Sequence, residues 1–343
     1  MPNSRIRNME EFAALSGISR PTVSKYFNDP GSVRASTRAL IEEALERYDY
    51  RPNFYAINQN RQLTKNVGIL VPYLADPFFA EIARRLERRC ISAGYIPTLF
   101  SAHGDRQLEV DILDTIRALK PAGALLAPLG RASDREAIER FCADVPTVLF
   151  DSNIDGIGDV FVGLDNPSSL SMIVEYLHRT GEPPTFFEML HPANPNAQKR
   201  RNAYIATMKR LGHEPQIVRV SGEGWDFENI GYAGAHQMFE KAQLPTKTVL
   251  CSNDRLAIGF LAAAYERGLK VGHAPDCDIR VAGLDDNPFS RFTCPSLTTV
   301  AQDYESISAK SVEALLVMIA DGRLQGERVE TLFEGKLIMR ASA

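Results

Sequence analysis

From Val67 to Gly283 the chain alternates short apolar runs with stretches of helical period, and that rhythm leaves few folds open. Strands are predicted at 67–71, 95–100, 123–127 and 146–150, and again at 185–190, 216–220, 248–252 and 279–283. Helical patterns lie between them, at 78–93, 106–118 and 134–143, then at 168–180, 197–211, 228–241 and 254–267. Strand–helix alternation predicts parallel, doubly wound α/β sheets, because a parallel strand pair needs a crossover that a helix supplies. Two successive units of this kind predict two lobes with a cleft between them. Ligands in such folds sit beyond the carboxyl ends of the strands.

Those strand ends are polar. Tyr73, Asp76, Phe78 and Phe79 follow the first strand, and Asp151-Ser152-Asn153 follow the fourth. Asn253-Asp254 and Asp285-Asp286 follow later strands, and Arg200-Arg201 open a helix. Carboxylates and arginine make paired hydrogen bonds, and aromatic rings stack on sugar C–H faces, so the set suits a polyhydroxylated ligand. Each residue also has a plainer reading. Phe78 and Phe79 are equally core residues at a helix start, Asp76 and Asp254 are equally N-caps, and Asp285-Asp286-Asn287-Pro288 is equally a turn. Joint placement at strand ends favours a site.

The first 66 residues are different. They carry 10 Lys+Arg against 7 Asp+Glu, whereas the remainder carries 29 against 36, so a net charge of −4 hides a basic head on an acidic body. A basic head suits phosphate contacts. Asn8 and Glu11 fit a capping box, with Met9, Phe12, Ala13 and Leu15 on one helical face. Gly17 supplies a turn. Ser19 fits the N-cap of a second helix with Pro21 in its first turn, where the missing N–H costs nothing. Val23 and Phe27, with Tyr26, point inward, leaving Arg20, Pro21, Thr22, Ser24 and Lys25 available to DNA. A third helix is predicted over 35–48, with Leu40, Ile41, Ala44 and Leu45 as its buried stripe.

Thr22-Val23-Ser24-Lys25, Asn28, Val33, Thr37-Arg38, Tyr50 and Pro52-Asn53 resemble the DNA-binding head of the LacI/GalR family. The resemblance extends through Asn66-Val-Gly-Ile-Leu-Val-Pro, Asp76-Pro-Phe-Phe-Ala-Glu, Ser252-Asn-Asp-Arg-Leu-Ala-Ile-Gly, Val281-Ala-Gly-Leu-Asp-Asp and Pro295-Ser-Leu-Thr-Thr-Val-Ala-Gln-Asp. These segments look like that family's sensor core, which is similar to periplasmic sugar-binding proteins. The resemblance implies a helix-turn-helix head over 1–55, a hinge over 56–65 and an effector-binding core over 66–343. Its first lobe would take about 66–162 and 296–327, its second about 163–291 and 328–343. Arg20 and Pro21 would meet base edges, Pro21 only through apolar contact. Thr22, Ser24 and Tyr26 would hold phosphates, with Lys25 and Asn28 on the same DNA-binding helix. Effector contacts would fall at Asp76, Phe78, Phe79, Asp151, Asn196, Arg200, Trp225, Asn253, Asp254 and Asp285.

The chain departs from the family at several points. Lys25 stands where Arg is usual, and Arg34 where a Ser cap is common. The usual hinge Leu, which wedges into the minor groove, aligns with Gln59, and the usual Arg with Ile57, so either residue is a candidate to enter the groove. Gly163-Leu-Asp-Asn-Pro differs mildly from the usual Asp-Asn-x-x-Gly-Gly. The chain shows no heptad tail of the kind that makes tetramers.

The expected function is a transcriptional regulator, a repressor working as a homodimer on double-stranded operator DNA. A small-molecule effector, a carbohydrate by the chemistry of the strand ends, would control its operator affinity. A solute-binding protein of a transporter and a sugar-processing enzyme are the alternatives. The basic head and a polar start without a secretory apolar stretch weigh against the first. The absence of GxxxxGK[ST], GxSxG and HExxH weighs against the second. No run approaches a membrane helix in length. The five cysteines are widely spaced with no CxxC, which fits thiols in a reducing cytoplasm; no metal and no cofactor are expected.

Overall fold

The computed structural model describes residues 6, 8–28, 30–50, 64–241, 244–321 and 328–343. The chain forms two compact units, Met1–Thr64 and Lys65–Ala343.

In the first unit, α1 (Met9–Ser16) is capped by Asn8, whose side chain accepts from the Glu11 amide at 2.9 Å. Gly17, at φ 69°, ends it in the left-handed conformation that glycine adopts without strain. Helix α2 (Arg20–Asn28) follows, then a 3₁₀ turn (Pro30–Ser32) and α3 (Ala35–Tyr48). Phe12, Val23 and Ile41 are fully buried at the centre, and Phe12 stacks on Tyr50 with centroids 4.7 Å apart. Two leucines expected on buried faces lie outside the core. Leu15 and Leu40 are 53% and 57% exposed, because Phe12–Ala13 and Ile41–Ala44 already fill the small core and the two leucines lie on the far sides of their helices. Arg34 gives α3 no side-chain cap.

The second unit is built on two parallel sheets, as the alternation predicts. A six-stranded sheet comprises β1 (Asn66–Val71), β2 (Ile96–Ser101), β3 (Gly123–Leu126), β4 (Thr147–Phe150), β5 (Val160–Leu164) and β11 (Val329–Phe333), in the order β11-β5-β4-β3-β1-β2. A four-stranded sheet comprises β6 (Thr185–Met189), β7 (Ile217–Val220), β8 (Thr248–Cys251) and β9 (Arg280–Ala282), in the order β7-β6-β8-β9. Strands β10 (Thr299–Ala301) and β12 (Lys336–Ile338) form a separate antiparallel pair. Helices α4 (Pro77–Ser92), α5 (Arg106–Ala118), α6 (Arg135–Asp144) and α11 (Tyr304–Asp321) belong with the first sheet. Helices α7 (Asn166–Thr180), α8 (Ala197–Arg210), α9 (Phe227–Glu240) and α10 (Asp254–Glu266) belong with the second. Among the described residues no helix is long and apolar enough to cross a membrane.

The crossings between lobes differ from the sequence boundaries. β11 pairs with β5 along its whole length, Val329 opposite Val160 and Phe333 opposite Leu164. Residues 163–164 and 329–333 therefore belong to the six-stranded sheet rather than to the second lobe. The sequence reading also lacks β5, β10, β11, β12 and α11.

Helix α10 carries Asp254 and Arg255 of the chamber and packs closely on α9. A Cβ on Gly259 would overlap the Glu228 carbonyl oxygen, and one on Gly231 would overlap the Leu256 carbonyl oxygen. Both obstacles are backbone, which a rotamer change cannot clear. Gly259→Ala should therefore destabilise the core by about 1–3 kcal/mol or more despite the better helix propensity of alanine. Thermal unfolding checks this, and an unchanged or raised melting temperature would contradict the close packing.

Candidate functional site

The exposed face of α2 carries Arg20, Pro21 and Lys25, with Thr22, Ser24 and Tyr26 half-buried beside them. Val23 turns inward, so the helix is anchored by one face and presents the other. Ser19 Oγ lies 2.8 Å from Thr22 Oγ1 and accepts from the Thr22 amide at 3.4 Å, fixing the first turn. Arg20 faces Glu10 at 3.6 Å, both well exposed, a pairing worth at most about 1 kcal/mol and readily exchanged for DNA. Tyr26 donates to Glu42 Oε1 at 3.3 Å, so a phosphate contact from Tyr26 requires leaving that carboxylate. Of Asn28 only the backbone is described. Ile57 and Gln59, the two hinge candidates, lie outside the described residues.

In the core, the strand ends converge. Asp76, Phe78, Phe79, Asp151, Arg200, Asn253, Asp254 and Asp285 line one chamber together with Asn194, Arg255, Asn287 and Gln302. Asp76 and the two phenylalanines follow β1, Asp151 follows β4, Asn253 and Asp254 follow β8, and Asp285 follows β9. Arg200 stands on the first turn of α8. The remaining space is tight, about 20 Å³ for the centre of a water-sized sphere, which suits a water rather than a sugar ring. A ligand must part the lining to enter.

Arg200 is 2% exposed and is gripped on all sides. Its Nε donates to Asn166 Oδ1 at 3.2 Å and its Nη1 to the Ser252 carbonyl at 2.8 Å, while Nη1 and Nη2 form a forked pair with the Asp285 carboxylate. Gln302 Nε2 donates to Asp285 Oδ1 at 2.8 Å, and the Tyr304 hydroxyl to the Asp285 carbonyl at 3.3 Å. Asp285, Asp286 and Asp151 have φ of 111°, 48° and 58°, a region that residues with a side chain seldom occupy. Such strain costs on the order of 1–3 kcal/mol per residue and persists where surrounding contacts over-determine it.

Other members serve the scaffold as well. Asp254 accepts from the Asn287 amide at 2.8 Å, Ser290 Oγ at 2.6 Å and Thr299 Oγ1 at 2.6 Å, so its carboxylate braces the loop after β9. Asn253 caps α10 by accepting from the Leu256 amide at 2.8 Å. Asp76 caps α4, accepting from Phe78 at 2.9 Å, and also accepts from Arg255 Nη1 at 3.1 Å. Asp76 therefore caps α4 and lines the chamber at once. Asn196 lies just outside the chamber and donates to the Asp151 carbonyl at 3.1 Å and to Asp151 Oδ2 at 3.2 Å.

Trp225 belongs to an outer chamber that shares Asn194 with the inner one and is lined also by His103, Arg131 and Arg201. It stacks on Tyr73 (centroids 5.2 Å apart, planes 9°) and meets Phe79 edge-on at 5.9 Å. It closes the aromatic side of the site rather than touching the inner carboxylates. Asn194, Arg255, Asn287 and Gln302 escaped the sequence reading as site residues. Arg255 and Asn287 stood directly beside residues already selected, and that adjacency was the available signal.

Residues 8–53 match the family model for bacterial regulatory proteins of the lacI family, and residues 175–343 match that for a periplasmic binding protein-like domain. The ribose operon repressor of Escherichia coli is 30% identical over 328 residues, covering 94% of this chain and 96% of the relative. The HTH-type transcriptional repressor CytR of Escherichia coli is 28% identical over 338 residues, 97% of this chain and 95% of the relative. The crystal structure of the Lac repressor dimer bound to operator and the anti-inducer ONPF matches with a TM-score of 0.83 at 24% identity, covering 98% of each chain.

The buried carboxylates give the core a pH dependence. Burial pushes Asp151 up to about 7, with Arg200 opposing and Asp285 adding, and pushes Asp254 up to about 8, with Asp285 adding. Burial raises Asp76 too, against the pull of Arg255. In the unfolded chain these groups titrate near pH ~3.9. Between that value and their folded values the native state holds protons the unfolded chain has released, so stability falls as pH rises. The melting temperature should drop by several degrees from pH 5 to pH 8, and Asp151→Asn should reduce that drop. A flat profile across this window in the wild type would contradict the burial of these carboxylates as charged groups.

Proposed function

Because the chain belongs to the lacI family of bacterial regulatory proteins, we propose that it is a repressor that acts as a homodimer in the cytoplasm and is controlled by a carbohydrate effector held in the inner chamber. DNA-binding transcriptional regulation itself follows from family membership. The observation that carries the effector reading is the forked Arg200–Asp285 pair, set among carboxylates at strand ends and flanked by Phe78 and Phe79. Such a fork offers paired donors and acceptors to vicinal hydroxyls, while the rings cover C–H faces. The name of the ribose operon repressor points to the same ligand class. Effector binding controls the head only if it favours one core conformation over another.

In this reading Arg20 and Pro21 read bases, and Thr22, Ser24, Lys25, Tyr26 and Asn28 position the helix. Arg20→Ala should weaken operator binding and relax preference at one position per half-site, by about 1–3 kcal/mol of discrimination. A binding-site selection measures this, and an unchanged sequence profile would remove Arg20 from the readers.

The effector residues call for gentle substitutions. Asp285→Ala would strand a buried guanidinium, a change that costs about 3–5 kcal/mol and endangers the lobe itself. Asp285→Asn and Arg200→Lys keep partial hydrogen bonding while breaking the fork. Each should lower effector affinity more than tenfold, for a loss of about 1.5–3 kcal/mol, with operator binding retained. A thermal-shift screen against sugars, sugar alcohols and sugar phosphates supplies the effector, since a ligand of the native state raises the melting temperature by mass action. Calorimetry beside an operator titration then decides. Wild-type effector affinity in both variants would place the ligand elsewhere.

A further inference from the structure

We propose that the effector carries a protonated amino group, as an amino sugar or amino alditol does, and that this ammonium sits against Asp151 in the inner chamber. The proposal rests on the carbohydrate reading of that chamber and specifies its ligand further.

The first support is charge. Four carboxylates line the chamber, Asp76, Asp151, Asp254 and Asp285, against two guanidinium groups, Arg200 and Arg255. Arg255 is further shared with Glu228, which takes hydrogen bonds from its Nε at 2.7 Å and its Nη2 at 2.5 Å. The lining thus holds more carboxyl groups than cations, and burial keeps Asp254 and part of Asp151 protonated at neutral pH until a cation arrives. Among the described residues no three His, Cys, Asp or Glu side chains are grouped to hold a metal ion.

The second support is an independent count of hydrogen-bonding atoms. Arg200 directs four of its five N–H groups to Asn166, Ser252 and Asp285, and Arg255 three of its five to Asp76 and Glu228. Among the described residues, the buried atoms in and beside the chamber that have no partner at all are acceptors. Gln302 is 6% exposed, and its Oε1 is buried without a donor. The Oδ1 of Asn196 is likewise buried without a donor. In both residues the NH₂ is engaged by a site carboxylate, Asp285 and Asp151 respectively, which fixes the amide so that oxygen is the free end. Asp151 is 4% exposed, and its carboxylate receives one hydrogen bond, from Asn196 at 3.2 Å. Asp254, by contrast, already receives three. A hydroxyl donates one hydrogen bond and asks for others in return; an ammonium donates three and asks for none. Asp151, buried and least compensated, is the carboxylate that an ammonium would satisfy. Because burial pushes Asp151 up to about 7 despite the pull of Arg200 and Lys199, with Asp285 and Asp76 adding to the rise, an arriving ammonium would discharge a proton from it.

The full chain is tested by thermal shift at pH 7 against matched pairs: D-glucosamine and D-glucose, D-galactosamine and D-galactose, and 1-amino-1-deoxy-D-sorbitol and D-sorbitol, with calcium chloride as a separate arm. The expected result is a rise in melting temperature with an amine-bearing member and little or none with its hydroxyl partner. Calorimetry of that amine in buffers of different ionisation enthalpy should show proton release. Asp151→Asn should cost more than tenfold in amine affinity and abolish the release, with the melting temperature of the protein alone unchanged or raised. Should Asp151→Asn melt lower than wild type, the buffer dependence of wild-type binding decides alone. A neutral sugar binding as well as its amino counterpart, in a manner sensitive to Asp285→Asn, overturns the ammonium while leaving the carbohydrate reading intact. Stabilisation by calcium alone, or by no amine, overturns the proposal.

Discussion

The core is organised around one buried guanidinium. Arg200 reaches from α8 into a space where water cannot solvate it, and removing such an ion from water costs several kcal/mol. The fold answers with acceptors from three different segments: Asn166 at the start of α7, the Ser252 carbonyl at the end of β8, and Asp285 after β9. Asp285 is in turn held by Gln302 and Tyr304 beyond β10. A hydrophobic residue of similar size would stabilise the lobe as well or better. The charge is therefore best understood as a requirement of the site, and the surrounding loops take the shapes that keep it paired. The left-handed backbone at Asp285 and Asp286 is part of that arrangement, and Asp254 pins the same loop from behind.

The roles of the four carboxylates are thus separated by their partners rather than by residue type. Asp254 is saturated by neutral donors and acts as a brace. Asp285 is matched to a guanidinium. Asp76 is divided between a helix amide and Arg255. Asp151 is left nearly alone at the end of β4. Nothing in the sequence distinguishes these four, since each is an aspartate just past a strand. Their number of donors, which decides which one can take up a ligand, is set by residues far away in the chain such as Thr299 and Asn196.

The parallel sheets were legible because buried parallel strands are continuous apolar runs and the helices between them keep a clear period. β1, β3, β4, β6 and β8 all fit that description. Of what was missed, β5 is an equally buried apolar run, and the rest is physically different. β11 is an edge strand with no fully buried residue, so Val-Glu-Thr-Leu-Phe lacks the continuous buried run of its neighbours, and β10 and β12 have three residues each. In α11 the buried face includes Ser308 and Ser311, small polar residues that dilute the apolar stripe. In the head, Leu40 and Ile41 are neighbours on one helix, and periodicity alone could not say which faced the core; packing space around Phe12 and Val23 chose Ile41. The chamber's aspartates and Arg200 were recoverable from strand-end position, whereas Gln302 follows the three-residue β10 and had no such marker.

The contacts that hold the two lobes against each other suit a reversible device. Asp76 meets Arg255, Asp151 meets Asn196, and Lys199 Nζ donates to Asn153 Oδ1 at 2.7 Å. An apolar meeting between them is aromatic, Trp225 on Tyr73 and Phe79. Polar groups at such a junction regain water when it opens, so each net contribution is about 1 kcal/mol rather than the several expected of core packing. A junction of this kind can be shifted between closed and open arrangements by a few kcal/mol of differential ligand binding. Asp151 stands at this junction and in the chamber at once, bonded across the gap to Asn196 while its carboxylate lines the site. A ligand that engages Asp151 therefore competes with, or reinforces, a contact between lobes without needing any intermediary, and the charge state of that single carboxylate becomes a term in the closure equilibrium itself.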